Sequence, residues 1–326
     1  MTSESDLPSN PSHTGLTAQG WNWTLAQIKA QLTAMPDGDI WVGQMYVTTS
    51  GATEIDIVLD DANYLSPYLA ICVNGTCTVD WGDDSATDTM TGTSETTVMY
   101  QGHTYASTGS YTIKIASSSG TIGLYAGTNF AAILSATNEK NNKRRKLNYS
   151  HTIKAIRIGT NTSVKQCAFA YCSSLTSLTI PSNVTSIGTS AFYNCYTLAS
   201  LTIPSGVTSI GDYMVYYCLS LTSLTISSGV TSIGNYAFST DSSLASLTIP
   251  SGVTSIGNSV FANGYGMEEY HFQGTTPPTL GTTAFSNIQP YTKIYVPYSD
   301  DHSVLEAYKT ATNWSTYASY MEEEPT

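Results

Sequence analysis

Apolar residues in the C-terminal half recur with a period that fits neither a single helix nor a single strand. Leu175, Leu178, Ile180, Val184, Ile187, Ala191, Phe192 and Cys195 alternate with Ser, Thr, Pro and Gly, and the same frame restarts at Leu198, Leu221 and Leu244, 23 residues apart each time. A unit this short cannot bury its apolar side alone, so successive units must stack into a solenoid with one continuous core. Leu178 and Ile180 stand two apart and share the inward side of a short strand, which turns Ser177 and Thr179 outward. Pro181 ends the strand because it has no N–H to give to a ladder. Val184 and Ile187 return to the core, Gly188 allows a turn, and Ala191-Phe192 fits a short helical turn capped by Ser190 or a neighbour. Each buried apolar side chain contributes about 1.5–3 kcal/mol by transfer. The core therefore grows by a fixed step per unit, and its two ends need covers.

The frame runs past these four copies. Ile153, Ile156 and Ile158 stand 22 before Leu175, Leu178 and Ile180, while Val164, Ala168-Phe169 and Cys172 stand 23 before their counterparts, so a slightly shorter first unit begins near residue 151. Met267, Tyr270 and Phe272 open a later copy that ends near Phe285. Lys293 to Pro297 then reads as a last strand, and the amphipathic run from Val304 to Thr312 as a helical cap over the open end. Upstream the period changes to two: Val42, Tyr46, Ile55, Ile57, Leu59, then Ala70 to Val73, Thr76 to Trp81 and Tyr111 to Ile115 predict short strands of an antiparallel sandwich. Residues 1–20 are polar, with Pro8 and Pro11, and read as an extended arm. Trp21, Leu25, Ile28, Leu32 and Met35 predict a short helix stopped at Pro36-Asp37-Gly38, either packed on the next domain or serving as an attachment segment. The expected layout is thus mainly β: arm and helix at 1–45, β-sandwich at 46–124, basic linker at 125–150, and a solenoid of 23-residue repeats with its cap at 151–326.

The frame written from Leu175 to Phe192, Leu-x-x-Leu-x-Ile-Pro-x-x-Val-x-x-Ile-Gly-x-x-Ala-Phe, resembles the leucine-rich repeat of the BspA-like family. Ile294-Tyr-Val-Pro297, Ala307-Tyr-Lys309 and Asn313-Trp-Ser315 resemble that family's C-terminal ending. This resemblance spans residues 151–326 and implies a right-handed solenoid of bacterial or phage surface proteins that bind host molecules without catalysis. Its motif residues are core residues, so it supplies no binding residue. Thr78-Val-Asp-Trp81-Gly-Asp-Asp84, His103-Thr-Tyr105 and Gly109 to Ile115 together resemble the PKD domain, an immunoglobulin-like module, over roughly residues 46–116; Asp84 stands where that family usually has glycine.

Charge narrows the choice of partner. Only 11% of the 326 residues are charged and the net charge is −12, which describes a surface rich in hydroxyls and tyrosine with a mild acidic excess. Seven of the 12 Lys and Arg fall between Lys140 and Arg157, and none lies between Lys165 and Lys293, so the repeats carry no specific nucleic-acid footprint. The cluster Lys143 to Lys146 reads as a solvated linker or as a contact for acidic glycan, nucleic acid or an acidic neighbouring subunit. No run of apolar residues is long enough for a membrane span. Met1-Thr-Ser-Glu-Ser-Asp6 lacks the basic and apolar regions of a secretory signal, so either an export signal has been removed or the protein reaches the outside by virion assembly and lysis.

Candidate chemistry is sparse. Cys72-Val-Asn-Gly-Thr-Cys77 predicts a hairpin turning at Asn74-Gly75, with the two thiols opposite each other and either reduced or joined as a disulfide. Cys172, Cys195 and Cys218 recur with the repeat and predict a buried column of small apolar fillers, with Asp241 in the fourth place. Asp83, Asp84 and Asp88, with Asp60-Asp61 upstream, fit either a structural turn partnered by His103 or a calcium site. No metalloprotease, nucleophile-elbow, Walker or dinucleotide motif is present, and neither a catalytic residue nor a cofactor is expected. The candidate contact surface consists of two outward columns, Ser177, Ser200, Ser223, Ser246 and Thr179, Thr202, Thr225, Thr248, with tyrosines such as Tyr193 and Tyr216 on the rim. These columns are either plain solvated sheet or a flat hydroxyl array for glycan.

The reading that follows is a non-enzymatic phage virion surface protein, a decoration or fibre of head, neck or tail. Its arm would hold other virion or cell-surface proteins and its repeats would meet a host surface protein or glycan, as a monomer or a homo-oligomer. An exported bacterial cell-surface adhesin of the same layout is the alternative. A glycan-processing enzyme is a third, and it would need a carboxylate pair.

Overall fold

The computed structural model describes residues 16–21, 44–48, 51–124, 134–135, 149–159 and 162–325. The helix expected after Trp21 and the basic cluster Lys143 to Lys146 lie outside the described residues. Leu16–Trp21 (β1) and Gln44–Thr48 (β2) pair as an antiparallel ribbon.

Thr53–Leu59 (β3) alternates along its length, burying Ile55, Ile57 and Leu59 and turning Glu54, Asp56 and Val58 outward, as its period-two pattern requires. Tyr68–Asp80 (β4), Asp88–Gly102 (β5) and Gly109–Leu124 (β6) join it in the order β3-β6-β4-β5, every pair antiparallel, with short Leu134–Ser135 (β7) beside β4. These strands belong to one hydrogen-bonded sheet, which the first repeats continue. The turn after β4 is built from its own side chains. Trp81 Nε1 donates to Asp88 Oδ2 at 2.8 Å, its ring stacks on His103 at 4.8 Å, and Tyr105 Oη donates to the Trp81 carbonyl at 3.0 Å. Asp84 has a left-handed φ of 61°, a conformation that Asp tolerates better than most residues and that explains why glycine suits this place.

The hairpin expected at Asn74-Gly75 does not form. β4 runs through as one strand of 13 residues, and Gly75 stands opposite Gly92 of β5 and Gly120 of β6. A Cβ on Gly75 would lie 2.1 Å from the Ser119 carbonyl oxygen, so this glycine serves a close approach of backbones across the sheet rather than a turn. Cys72 and Cys77 are consequently about 17 Å apart along one extended strand, far beyond the roughly 4.4–6.8 Å between the Cα atoms of a disulfide. Both thiols are free, and burial pushes each up to about 11.

The repeats grow out of this sheet. Ile153–Arg157 (β8) pairs antiparallel with β3 on one edge and parallel with Ser177–Thr179 (β10) on the other, while Thr162–Val164 (β9) runs parallel to the end of β6. β3 therefore starts the first wall of the solenoid and β6 the second, and one apolar core runs through both halves. The first wall continues through Ser200–Ile203, Ser223–Ile226, Ser246–Ile249, Glu269–Phe272 and Lys293–Val296. The second runs from Val164 through Ile187 to Ser209–Ile210, Ser232–Ile233, Ser255–Ile256 and Thr279–Leu280. Pairing follows the repeat, Ser200 with Ser223 and Ser232 with Ser255, so every coil presents the same residues inward.

The third wall differs from the expectation. Ala191-Phe192 makes no helical turn and Ser190 caps nothing: Ser190 (φ 55°) and Asn194 (φ 60°) are both left-handed, and the same two places are left-handed in Cys167 and Tyr171, Tyr213 and Tyr217, Tyr236 and Thr240. Such residues cost roughly 1–2 kcal/mol each. Hydrogen bonding between coils offsets that cost. Phe169, Phe192, Val215 and Phe238 each donate their N–H to a carbonyl of the following coil, at Ala191, Met214, Ala237 and Val260, while Ala191 and Tyr193 close short turns onto Gly188 and Ser190. A helix would keep all of those donors within its own segment.

At the far end Lys293–Val296 is not the last strand, since Met321–Glu323 pairs parallel beyond it. Between them Ser303–Thr310 (α1) packs as the expected cap, and Trp314 is fully buried beneath it.

Candidate functional site

The outward side of the first wall carries the two hydroxyl columns. Thr202 lies beside Thr225 and Ser200 beside Ser223; further on, Thr248 lies beside His271 and Ser246 beside Glu269. Among the described residues, none of the eight candidate side chains hydrogen-bonds to another protein group. Several hydroxyls elsewhere on the coils are committed: Thr197 donates to Ser173 and Leu175, Thr222 to Ala199, Thr231 to Thr208 and Thr254 to Thr231, in each case to a carbonyl of the preceding coil. These threonines staple one coil to the next, whereas the columns, like Ser209, Ser232 and Ser255 on the second wall, carry hydroxyls with no protein partner.

Charged groups border this plateau at both ends and are paired there. Arg157 donates to Glu54 Oε2 and to both oxygens of Asp56, each at 2.8 Å, and Thr112 donates to Asp56 Oδ1 at 2.8 Å. Burial pushes the Asp56 carboxyl up, but Arg157 and Thr112 outweigh it and hold the group below the usual carboxylate range. At the other border His271 sits between Glu324 Oε1 at 2.8 Å and Glu269 Oε2 at 3.1 Å, its ring stacked on Tyr295 at 5.1 Å, and Lys293 pairs with Glu322. Neither border was legible as a cluster in the sequence, although the alternation of Glu54 and Asp56 with Ile55 and Ile57 marks an outward acidic pair.

Tyr193 and Tyr216 are not beside the columns. They stand on the third wall, where their rings stack at 5.3 Å and 12°, next to a second stack of Tyr213 on Tyr236 at 4.9 Å and 5°. The tyrosines expected on the rim of the columns follow the left-handed residues Ser190 and Tyr213 in the third wall of their coils.

The acidic turn of the N-terminal sheet has its partners. His103 Nε2 lies 2.8 Å from Asp83 Oδ2, Ser85 donates to Asp83, Gly82 N donates to Asp80, and Asp61 accepts from Asn63 on a separate turn. Burial raises the Asp83 carboxyl, and the bonds from Ser85 and His103 overcome it. In the buried column, Cys195 and Cys218 donate their thiols to the carbonyls of Phe169 and Phe192 at 3.2 Å, and Asp241 follows them inside the core as expected. A recess of about 420 Å³ beside the second wall is lined by Ser251, Thr254, Gln273, Thr276, Pro278 and their neighbours, with no acid, histidine or cysteine among them. Among the described residues no helix is long and apolar enough to cross a membrane.

Short parallel strands, stacked with leucine and isoleucine inward and joined by tight turns, define a leucine-rich-repeat solenoid. Residues 162–292 match the BspA type leucine rich repeat region in 6 copies. The match does not extend to the PKD-like residues 46–116. Among solved structures, the chain is similar to a leucine rich cell surface protein from Faecalibacterium prausnitzii A2-165, at 20% identity over 49% of this chain and 67% of that one with a TM-score of 0.31. It is also similar to a leucine-rich repeat protein from Bacteroides ovatus ATCC 8483 (20% identity, 53% and 55%, TM-score 0.34) and to one from Eubacterium ventriosum ATCC 27560 (23%, 42% and 42%, TM-score 0.30). The chain spans about half the length of these last two. Comparison with curated proteins gives no match.

Proposed function

We propose that this is a non-catalytic binding protein of a bacterial surface, and that the outward face of its first wall holds a neutral, hydroxyl-bearing partner, a glycan or a host surface protein. The observation that carries this reading is the register of the first wall, which sets eight side-chain hydroxyls without a protein partner in two outward rows on successive coils. A preorganised, charge-free array loses little on desolvation, and each hydrogen bond to a partner adds only about 0.5–1.5 kcal/mol. Affinity then comes from the number of coils engaged and depends little on salt. The BspA type of the repeats favours display on a bacterial cell over display on a phage particle. On this reading residues 1–45 form the attachment arm, residues 46–124 a PKD-like spacer and residues 125–150 the linker.

Thr202→Lys with Thr225→Lys places two adjacent cations on the plateau without touching the core. Binding to a host-cell surface or a glycan array should fall at least about tenfold, the equivalent of roughly 1.4 kcal/mol. Thr208→Lys, on an exposed turn before the second wall, should leave it unchanged. Equal binding by the double variant and the wild type would remove the first wall as the site.

A further inference from the structure

Asp241 is the one acid in the buried column that Cys172, Cys195 and Cys218 begin, and it is 2% exposed. Its Oδ1 accepts the Cys218 N–H at 2.9 Å, and its Oδ2 has no partner. The groups facing it are neutral. On one side is the Cys218 thiol, already donated to the Phe192 carbonyl at 3.2 Å. On the other is the Tyr270 phenol, whose oxygen lies 3.3 Å from where a Cβ on Gly264 would be, the fifth place of the column. No lysine, arginine or histidine acts on Asp241, so burial outweighs the opposing Cys218 N–H bond and keeps the carboxyl well above the ordinary range.

The joint between the Asp241 coil and the next is also one of the two where the first wall is interrupted, the other lying between Ser177–Thr179 and Ser200–Ile203. Ser223–Ile226 and Ser246–Ile249 belong to separate hydrogen-bonded sheets. The second wall stays paired there through Ser232 with Ser255, and the third through Phe238 N–H to Val260 and Thr240 N–H to Ala262. A coil held by two walls out of three therefore meets a buried acid with an orphaned oxygen.

We propose that Asp241 makes this joint a proton-controlled seam in the repeat stack. Protonated, it continues the thiol column and the coils on either side stay sealed. When the proton leaves to solvent, the carboxylate draws in water and the stack opens at this joint before any other. The folded state holds a proton that the unfolded chain has released above about pH 4. Cohesion is therefore complete below that point and falls about tenfold per pH unit as pH rises, until the folded acid itself ionises. Asp56, Asp83 and Glu95, whose carboxyls are lowered, contribute in the opposite direction. For that reason wild type must be read against variants of the same chain.

The test is amide exchange at Phe238, Thr240 and Thr254, whose N–H groups bridge this joint, corrected for intrinsic rates, between pH 5 and 8 on the full chain, for wild type, Asp241→Asn and Asp241→Cys. The expected result is a loss of wild-type protection of up to about tenfold per pH unit, with flat profiles for both variants and no change at Ile55, remote in the N-terminal sheet. Parallel profiles for wild type and variants overturn the proposal, and so does loss of protection at Ile55 equal to that at Thr240. Should neither variant fold, a pH-independent Thr240 amide in the wild type overturns it alone.

Discussion

Replacing Trp314 with alanine should cost about 3–5 kcal/mol and should unseal the C-terminal coils before the rest of the molecule. The indole is fully buried, its Nε1 donates to the Pro278 carbonyl at 2.7 Å, and its ring meets Phe272 and Tyr308 edge-on at 5.0 Å each. Truncation leaves both a cavity and an unpaired buried carbonyl, and the second adds about 1–3 kcal/mol of its own. Coils touch only their neighbours, so damage to the cover should spread inward from the end. Amide exchange should show Lys293–Val296 and Glu269–Phe272 losing protection while Ile153–Arg157 keeps it. Uniform loss across all the coils would contradict a separately docked cover.

The second large effect is expected in the body of the stack. Phe192 is fully buried and lies parallel to Phe169 at 5.9 Å, beneath the left-handed turn of the third wall. Phe192→Ala should lower stability by about 3–5 kcal/mol and uncouple the coils that follow from the N-terminal sheet. Calorimetry should then show two separated transitions in place of one. Phe192→Leu should recover most of the loss, because Val215 fills the equivalent place in the next coil and is equally buried. A shift below about 1 kcal/mol, well short of ordinary large-to-small core substitutions, would mean that this wall is not part of the shared core.

The repeat was legible because its apolar positions each have one steric role, and a fixed period lets those roles be superposed. Leu201, Leu224 and Leu247 are buried where the frame puts them, and the serine and threonine columns face outward as the strand period demands. The third wall was not legible. Its left-handed places are held by Ser, Asn, Tyr and Thr rather than glycine, and they are sustained by hydrogen bonds to the next coil that no local pattern announces. Asn74-Gly75 misled for the opposite reason. Its local signal for a hairpin is strong, but β4 is pinned on both edges, and the glycine answers to glycines on the neighbouring strands. Arg157 finds Glu54 and Asp56 across more than a hundred residues of chain, a distance over which spacing carries no information.

Coils stacked in register through a shared apolar core are the basis of the whole C-terminal half. Spin labels at Ser177→Cys and Lys293→Cys test this most directly, since both places lie in one outward column, five coils apart, and all six native thiols are buried. At roughly 4.8 Å per coil the labels should give a narrow distribution centred near about 24 Å. A broad distribution, or a mean separation more than half as long again, would contradict the stack.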